Sequence, residues 1–489
     1  MELDSIQYKH FFDEKNSKTI RKWLIDNIEF TTGPTYKEAC YAVINPTNFC
    51  PVGCPHCLYS SKKFIDKSQQ VNKKTIKGFI KIANSAGLKM LVFSGGGEPF
   101  ENLEIMLDAI SNIKTLEDVV IITSAYFAKD YENTKKIMDR ICSAGKEERI
   151  KNKLKEILIT IRISRDNSQC KVVPLDNVIN LVNYVIKKSK DSKIRVLVRT
   201  ILNNGENNDL ELAKRLKLEL KPSKNEDDIY ENLPIIDSLP VRWLLSDDHK
   251  IQIPIIYKPV YFVGRALNKK STDIYSLWNI VESEENSGTP LNLCMRGPKG
   301  EGHNYYETVF KGYDFWKKEL PNKYDTPKDK SLKRIALYVQ ATGNILVNGG
   351  VPDIAPDINK IKSWDSFLDI IHNDPLQRLL IEKGPFFIKD LAKEVEKDID
   401  ENIEKTNFVF SISLLALKTP ALRLYMTIMA IKYYLRKDEL KIKNLNVKKL
   451  IELDDEYYID IYKKWKENIE ESNRKYIDPI TGDAENIIK

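Results

Sequence analysis

Between residues 41 and 263 short aliphatic runs alternate with helix-spaced segments, and this rhythm constrains the fold more than any other feature of the chain. The runs are "YAVINPT" (41–47), "MLVFSGG" (90–96), "DVVIITSA" (118–125), "EILITIRIS" (156–164), "KIRVLVRTIL" (193–202) and "IQIPIIYKPVYFV" (251–263), the last interrupted by prolines. Helical periodicity fills the gaps: "KKTIKGFIKIANSAG" (73–87) closing at Gly87, "NLEIMLDAISNIK" (102–114), then "LDNVINLVNYVIKKS" (175–189). A Lys-rich helical stretch of about 30 residues follows the third run. Strands this continuous in Val, Ile and Leu are buried on both faces and pair in parallel, with helices as the crossovers. The pattern suits a partial or full α/β barrel, with a doubly wound sheet as the other arrangement. Either one gathers ligands at the carboxyl ends of its strands.

The flanks read differently. A chain of 489 residues exceeds what one core supports, so several regions are expected. They are an amphipathic lead-in (1–40), the α/β region (41–266), a loop-rich segment (267–362) and a helical C-terminal region (363–489). Within the third, "RIALYVQATGNILVNGGV" (334–351) has the pattern of a hairpin turning at Ala-Thr-Gly-Asn. The most apolar stretch, "FSISLLALKTPALRLYMTIMAIKYYL" (410–435), is interrupted by Lys418, Pro420 and Arg423. It reads as a buried helical pair, because a membrane span needs about 20 uninterrupted apolar residues. The N-terminus lacks a basic-then-apolar signal pattern. Net charge is +7, from 77 basic and 70 acidic residues spread along the chain. So mild an excess reads as a solvated surface before a nucleic-acid patch, and suits anionic substrates or cofactors as well as RNA.

The seven cysteines (40, 50, 54, 57, 142, 170 and 294) are an odd number with no disulfide framework, which suggests a reducing cytoplasmic setting and metal or redox use. Cys50, Cys54 and Cys57 crowd into "NPTNFCPVGCPHCLYSSKK" (45–63), just past the first strand, with the spacing C-x3-C-x2-C. Pro and Gly keep this loop irregular, and Gly53 permits a tight turn. Thiolates hold iron–sulfur clusters, and a cubane completed by four of them is closed. Three leave one iron open, which is where a metal site does chemistry. A zinc site using His56 as fourth ligand, or incidental cysteines, are the competing readings of the same loop. After the second strand comes "FSGGGEPF" (93–100), a Gly-rich turn that lacks the Lys of a phosphate loop.

Taken together, C-x3-C-x2-C after a first strand and Gly96-Gly97-Glu98-Pro99 after a second resemble the motifs of the radical S-adenosylmethionine (radical SAM) superfamily. The resemblance covers residues 41 to about 265 and implies a partial (β/α)6 barrel of the radical SAM type, with a mixed hairpin-plus-helical C-terminal extension. It implies a [4Fe–4S] cluster on Cys50, Cys54 and Cys57, with S-adenosylmethionine chelating the fourth iron. Reductive cleavage of the sulfonium would give a 5′-deoxyadenosyl radical that removes hydrogen from the substrate. Gly96 and Gly97 would let backbone carbonyls approach the amino group of S-adenosylmethionine, and Glu98 would support that turn or accept from the ammonium. Ser124 occupies the third-strand position, and Ser164, or Asp166 beside it, the ribose-contacting one. Arg199 would suit the methionyl carboxylate. His56 replaces the aromatic that often precedes the third cysteine and would shield adenine.

The segment "YKPVYFVGRA" (257–266) with the hairpin is similar to relatives bearing a SPASM-type C-terminal domain, but "NILVNGGV" carries no cysteine and none follows Cys294. Auxiliary clusters are therefore not expected, and a SPASM-like cap without metals is. Many relatives of this layout mature ribosomally made peptides by epimerisation, crosslinking or cleavage, which makes a peptide the leading substrate expectation. Cys294 is then the candidate hydrogen donor, while Cys142 and Cys170 read as structural. A small metabolite, a nucleic acid or nucleotide, and a non-catalytic cluster-binding scaffold are the other readings. An external electron donor of flavodoxin or ferredoxin type is implied, and a membrane is not.

Overall fold

The computed structural model describes residues 10–34, 36–54, 57, 61, 69–200, 208–222, 240–247, 250–257, 333–347, 351, 355–383, 385–399, 417, 419–467, 475–477 and 484–486. They fall into two compact units, one of residues 40–328 and one combining residues 1–39 with 329–489.

The unit of residues 40–328 is built on a mostly parallel sheet. Strand β1 (Tyr36–Ile44) enters it, followed by α1 (Lys73–Ser85), β2 (Met90–Phe93), α2 (Leu103–Asn112), β3 (Asp118–Thr123), α3 (Tyr131–Gly145), β4 (Leu158–Ser164), α4 (Leu175–Lys188) and β5 (Ile194–Thr200). Then come α5 (Asn208–Leu216), β6 (Glu219–Pro222), β7 (Pro240–Leu245) and β8 (Gln252–Tyr257). The order across the sheet is β1-β2-β3-β4-β5-β8-β7-β6. Strands β1 to β5 and β8 are parallel neighbours, and β6 and β7 join antiparallel at the edge. Among the described residues the sheet stays open, as the partial barrel predicts.

Alternation along the strands decides what each face carries. Leu91, Phe93, Val119, Ile121, Ile159, Ile161, Ile163, Val196 and Val198 are all buried and share the face against which α3 and α4 pack. Such a face repays helices with matching apolar stripes, and α1 supplies one in Ile76, Phe79, Ile82 and Ala83. Its start is fixed by Asn72, whose side chain accepts from the backbone of Lys74 and Thr75 at 3.0 Å. Its exit passes through Gly87 at φ +68°, a left-handed turn that glycine adopts without strain. The opposite face holds Val92, Val120 and Ile122 with polar residues of β4 and β5.

Two features depart from the sequence expectation. The long Lys-rich helical stretch is broken: α3 ends at Gly145 and a short helix, Glu147–Lys151, follows. A side chain on Gly145 would strike Ile159 on β4, and the turn there buries Arg149, which donates to the carbonyls of Ile110, Ile113, Lys155 and Leu116. One cation thus satisfies the ends of several elements, which periodicity cannot foresee. The edge hairpin of β6 and β7 was not anticipated either, because its Lys- and Pro-bearing strands lack a continuous apolar run.

The second unit is mainly helical. Helix Pro420–Leu435 is buried on nearly all sides, with Thr419 capping its first turn through the Leu422 amide at 3.1 Å. Pro420 starts this helix at the position proline favours, and the first member of the pair expected from 410 lies outside the described residues. Helix Glu14–Asp26 packs against it, and Arg21 bonds Thr427 at 2.9 Å and forms an ion pair with buried Asp374. Nearby Arg378 lies 4.1 Å over the ring of Phe30, donates to Glu382 at 2.8 Å and meets His372 Nε2 at 3.1 Å. Strands Lys333–Val339 and Ile345–Val347 form the expected hairpin, turning through Gly343 at φ +89°. No described helix is long and apolar enough to cross a membrane.

Candidate functional site

The carboxyl ends of β1, β2 and β3 meet around the cysteine loop. After Ile44 the chain leaves the sheet through Asn45, Pro46, Thr47 and Asn48, all but the proline being polar and deeply buried. Asn45 donates to the Asn48 side chain at 2.7 Å, and Thr47 Oγ1 accepts from the Phe49 amide at 3.1 Å. Asn102 pins the same segment from α2's entry, donating to the carbonyls of Pro46 and Val71 at 2.9 Å. These bonds give the loop a fixed take-off toward Cys50, and none of these residues was singled out in the sequence. The signal was present in "NPTN", whose short polar side chains substitute for backbone partners in turns.

Cys50, Cys54 and Cys57 are half-buried, unlike core Cys142. Gly53 takes φ +66° between the first two, and the Cys57 amide donates to the Cys54 carbonyl at 3.3 Å. The Cys50 thiol is pushed up to about 11, first by burial and then by the Glu98 carboxylate, with the Val52 and Gly53 amides opposing and Cys57 adding least. A thiolate there needs a cation beside it, a charge that iron would supply when bound. Among the described residues no three His, Cys, Asp or Glu side chains converge on a single ion. In a cubane each thiolate binds its own iron, so three cysteines need not converge on one ion.

The β2 turn presses against this loop. The Glu98 amide donates to the Phe49 carbonyl at 2.9 Å. A Cβ added to Gly97 would overlap the carbonyl oxygens of Thr47 and Phe49, and one on Gly96 would overlap the Asn45 and Asn48 amides. Gly97 is therefore required by close backbone approach, and Gly96 is crowded by the buried side-chain amides of Asn45 and Asn48. Glu98 is almost fully buried, and its carboxylate accepts from Thr123 Oγ1 at 2.5 Å, Ser124 Oγ at 2.6 Å and the Ser124 amide at 2.9 Å. Burial raises its pKa, with those three bonds opposing. Thr123, absent from the sequence reading, also accepts from the amide of Ala125, which sits at φ +63°. Glu98 thus ties β2's exit to β3's exit.

Ser164 ends β4 half-exposed, directly across the ladder from Arg199 on β5. Asp166 is engaged with Gln169 in both directions, at 3.0 and 3.1 Å. The structure thus yields two constellations, Cys50 and Cys57 with Glu98 and Ser124, and Ser164 with Arg199. Cys294 and His56 lie outside the described residues. The donor set and the glycine cradle fit a three-cysteine cluster with a small ligand beside it.

Comparison with known proteins gives a family. Residues 44–216 match the model of the Radical SAM superfamily. Among solved structures, BtrN in complex with AdoMet and 2-DOIA matches at 12% identity and TM-score 0.24, covering 33% of this chain and 58% of that one. SuiB of Streptococcus suis bound to S-adenosylmethionine matches at 14% identity and TM-score 0.29, covering 70% of this chain and 67% of that one. No curated protein matches the chain. Over residues 44–216 the chain carries a domain of the Radical SAM superfamily.

Proposed function

We propose that this radical SAM enzyme acts in the maturation of a ribosomally made peptide, by epimerisation, crosslinking or cleavage. When bound, the cluster and S-adenosylmethionine supply a carbon-centred radical able to remove hydrogen from an unactivated carbon. The chain's own contribution is positioning. Cys50, Cys54 and Cys57 would hold the cluster, and Gly96 and Gly97 would keep the neighbouring backbone close. Glu98 would fix that turn through Ser124, and Ser164 and Arg199 would line the ribose and carboxylate side. The observation that carries the reading is the contact of the Gly96–Glu98 turn with the backbone of Thr47 and Phe49, which lays the β2 exit directly on the cysteine loop.

The peptide assignment follows from the resemblance of the sequence to relatives of this layout, and the hairpin Lys333–Val339/Ile345–Val347 is the element that resemblance leads one to expect. Cys294 would return the hydrogen in an epimerisation, and a flavodoxin or ferredoxin would deliver the electron. The test is incubation of the reduced holoenzyme in D2O with short peptides encoded beside its gene. Mass gain or crosslinking in one peptide supports the assignment, and Cys294→Ala should remove deuterium incorporation while leaving S-adenosylmethionine cleavage. Turnover of a small metabolite or nucleotide, with every peptide unchanged, would contradict it.

A further inference from the structure

A hydroxyl withdrawn from water needs a partner inside the protein. Ser61, in "CLYSSKK" (57–63), is 2% exposed. Its partner among the described residues is a sulfur, since Ser61 Oγ lies 3.4 Å from Cys57 Sγ. The contact is to the third cysteine of the loop itself, four residues back in the chain. The serine has no part in the site as described so far.

The direction of that bond follows from the chemistry of sulfur. A neutral thiol can give or take a hydrogen bond, so in the metal-free chain either atom can be the donor. A thiolate bound to metal has no proton to give and only accepts. With Cys57 on iron, the donor in this pair is Ser61. A donor aimed at a ligand sulfur withdraws electron density from it and favours the electron-richer state of the metal. Cys50 differs in kind, because its hydrogen bonds come from the backbone of Val52 and Gly53. Those donors are fixed by the fold, whereas the Ser61 hydroxyl can be removed by one substitution.

We propose that Ser61 is a positioning residue that acts through Cys57: its hydroxyl donates to the ligand sulfur and holds up the reduction potential of the bound cluster. The inference rests on the reading of Cys50, Cys54 and Cys57 as cluster ligands and adds a residue that sets how readily the cluster takes its electron. The step is a one-electron transfer from a flavodoxin or ferredoxin, or from dithionite in vitro. The donor is oxidised and the cluster reduced, no covalent bond of the chain forms or breaks, and Ser61 keeps its proton.

The experiment is a redox titration of anaerobically reconstituted protein with dithionite and mediators, without S-adenosylmethionine, following the reduced cluster by electron paramagnetic resonance. Wild type, Ser61→Ala and Ser61→Thr are compared at equal iron content. In Ser61→Ala the one-electron equilibrium is expected to move about threefold against reduction, about 28 mV at roughly 59 mV per tenfold. Ser61→Thr keeps the hydroxyl and should titrate as wild type does. A merely structural serine would leave the potential unmoved. Equal potentials in wild type and Ser61→Ala, or a shift in Ser61→Thr as large as in Ser61→Ala, overturn the inference and leave the cluster reading standing. Should Ser61→Ala lose its iron, Ser61→Gly deletes the same hydroxyl and carries the test. Iron loss in both gives the hydroxyl a role in assembly and overturns the inference as well. Wild-type protein that takes up no cluster overturns the cluster reading, and this inference with it.

Discussion

Glu98 commits its carboxylate to Thr123 and Ser124, and through them holds the exits of β2 and β3 together. Buried carboxylates are costly unless fully bonded, so the group works as a tie whose loss strands three donors. Glu98→Ala should lower the unfolding transition by roughly 2–4 kcal/mol, and Glu98→Gln by about 1 kcal/mol. Denaturant titration of the purified variants measures both, and equal effects would argue against the tie. Gly97 is constrained by space, since a methyl group there would overlap two carbonyl oxygens of the cysteine loop. Gly97→Ala should cost about 1–3 kcal/mol and weaken S-adenosylmethionine binding, read by calorimetry. Undiminished affinity would show that the turn does not shape the cofactor's seat. At this scale the cysteines and glycines were legible because thiols and positive-φ or close-approach positions leave few substitutes. Thr123, Asn45 and Asn48 were not, because ordinary polar residues become functional only through partners distant in sequence.

Among the elements, the parallel strands and their helices were readable because a face buried on both sides demands continuous aliphatic runs. What periodicity hid was the alternation within β4 and β5, where "LITIRIS" and "IRVLVRT" put isoleucine and valine on the helix side and the arginines, Thr160 and Ser164 on the other. The break after α3 was hidden for another reason, since Arg149 draws together carbonyls from segments that share no local pattern. A similar cation organises the helical unit, where Arg378 meets Nε2 of His372 at 3.1 Å. Burial, then the Arg378 charge, lowers the His372 pKa from 6.5 to about 4. The folded state therefore binds fewer protons than the unfolded state between those values, and the stability involved is complete above about 6.5 and lost as pH falls toward 4. His372→Gln keeps an acceptor for Arg378 without titrating, so the wild-type decline in denaturation midpoint from pH 7 to pH 4 should flatten in the variant. An unchanged slope would place the acid sensitivity elsewhere.

For the molecule as a whole, residues 1–39 and 329–489 form one compact unit, in which Arg21 and its partners join the first helix to the C-terminal ones. That association joins segments several hundred residues apart, and no linear pattern marks it. The radical SAM domain was legible because its signature is concentrated in two short motifs. The account's central claim is that the cysteine loop, seated on the Gly96–Glu98 turn, supports S-adenosylmethionine cleavage. The most direct measurement is 5′-deoxyadenosine released from S-adenosylmethionine by anaerobically reconstituted, reduced protein, compared between wild type and Cys54→Ala. The account predicts product in proportion to bound iron in the wild type, and loss of both iron and product in the variant. Iron-loaded wild-type protein that yields no 5′-deoxyadenosine, or a Cys54→Ala variant that yields as much, would contradict it.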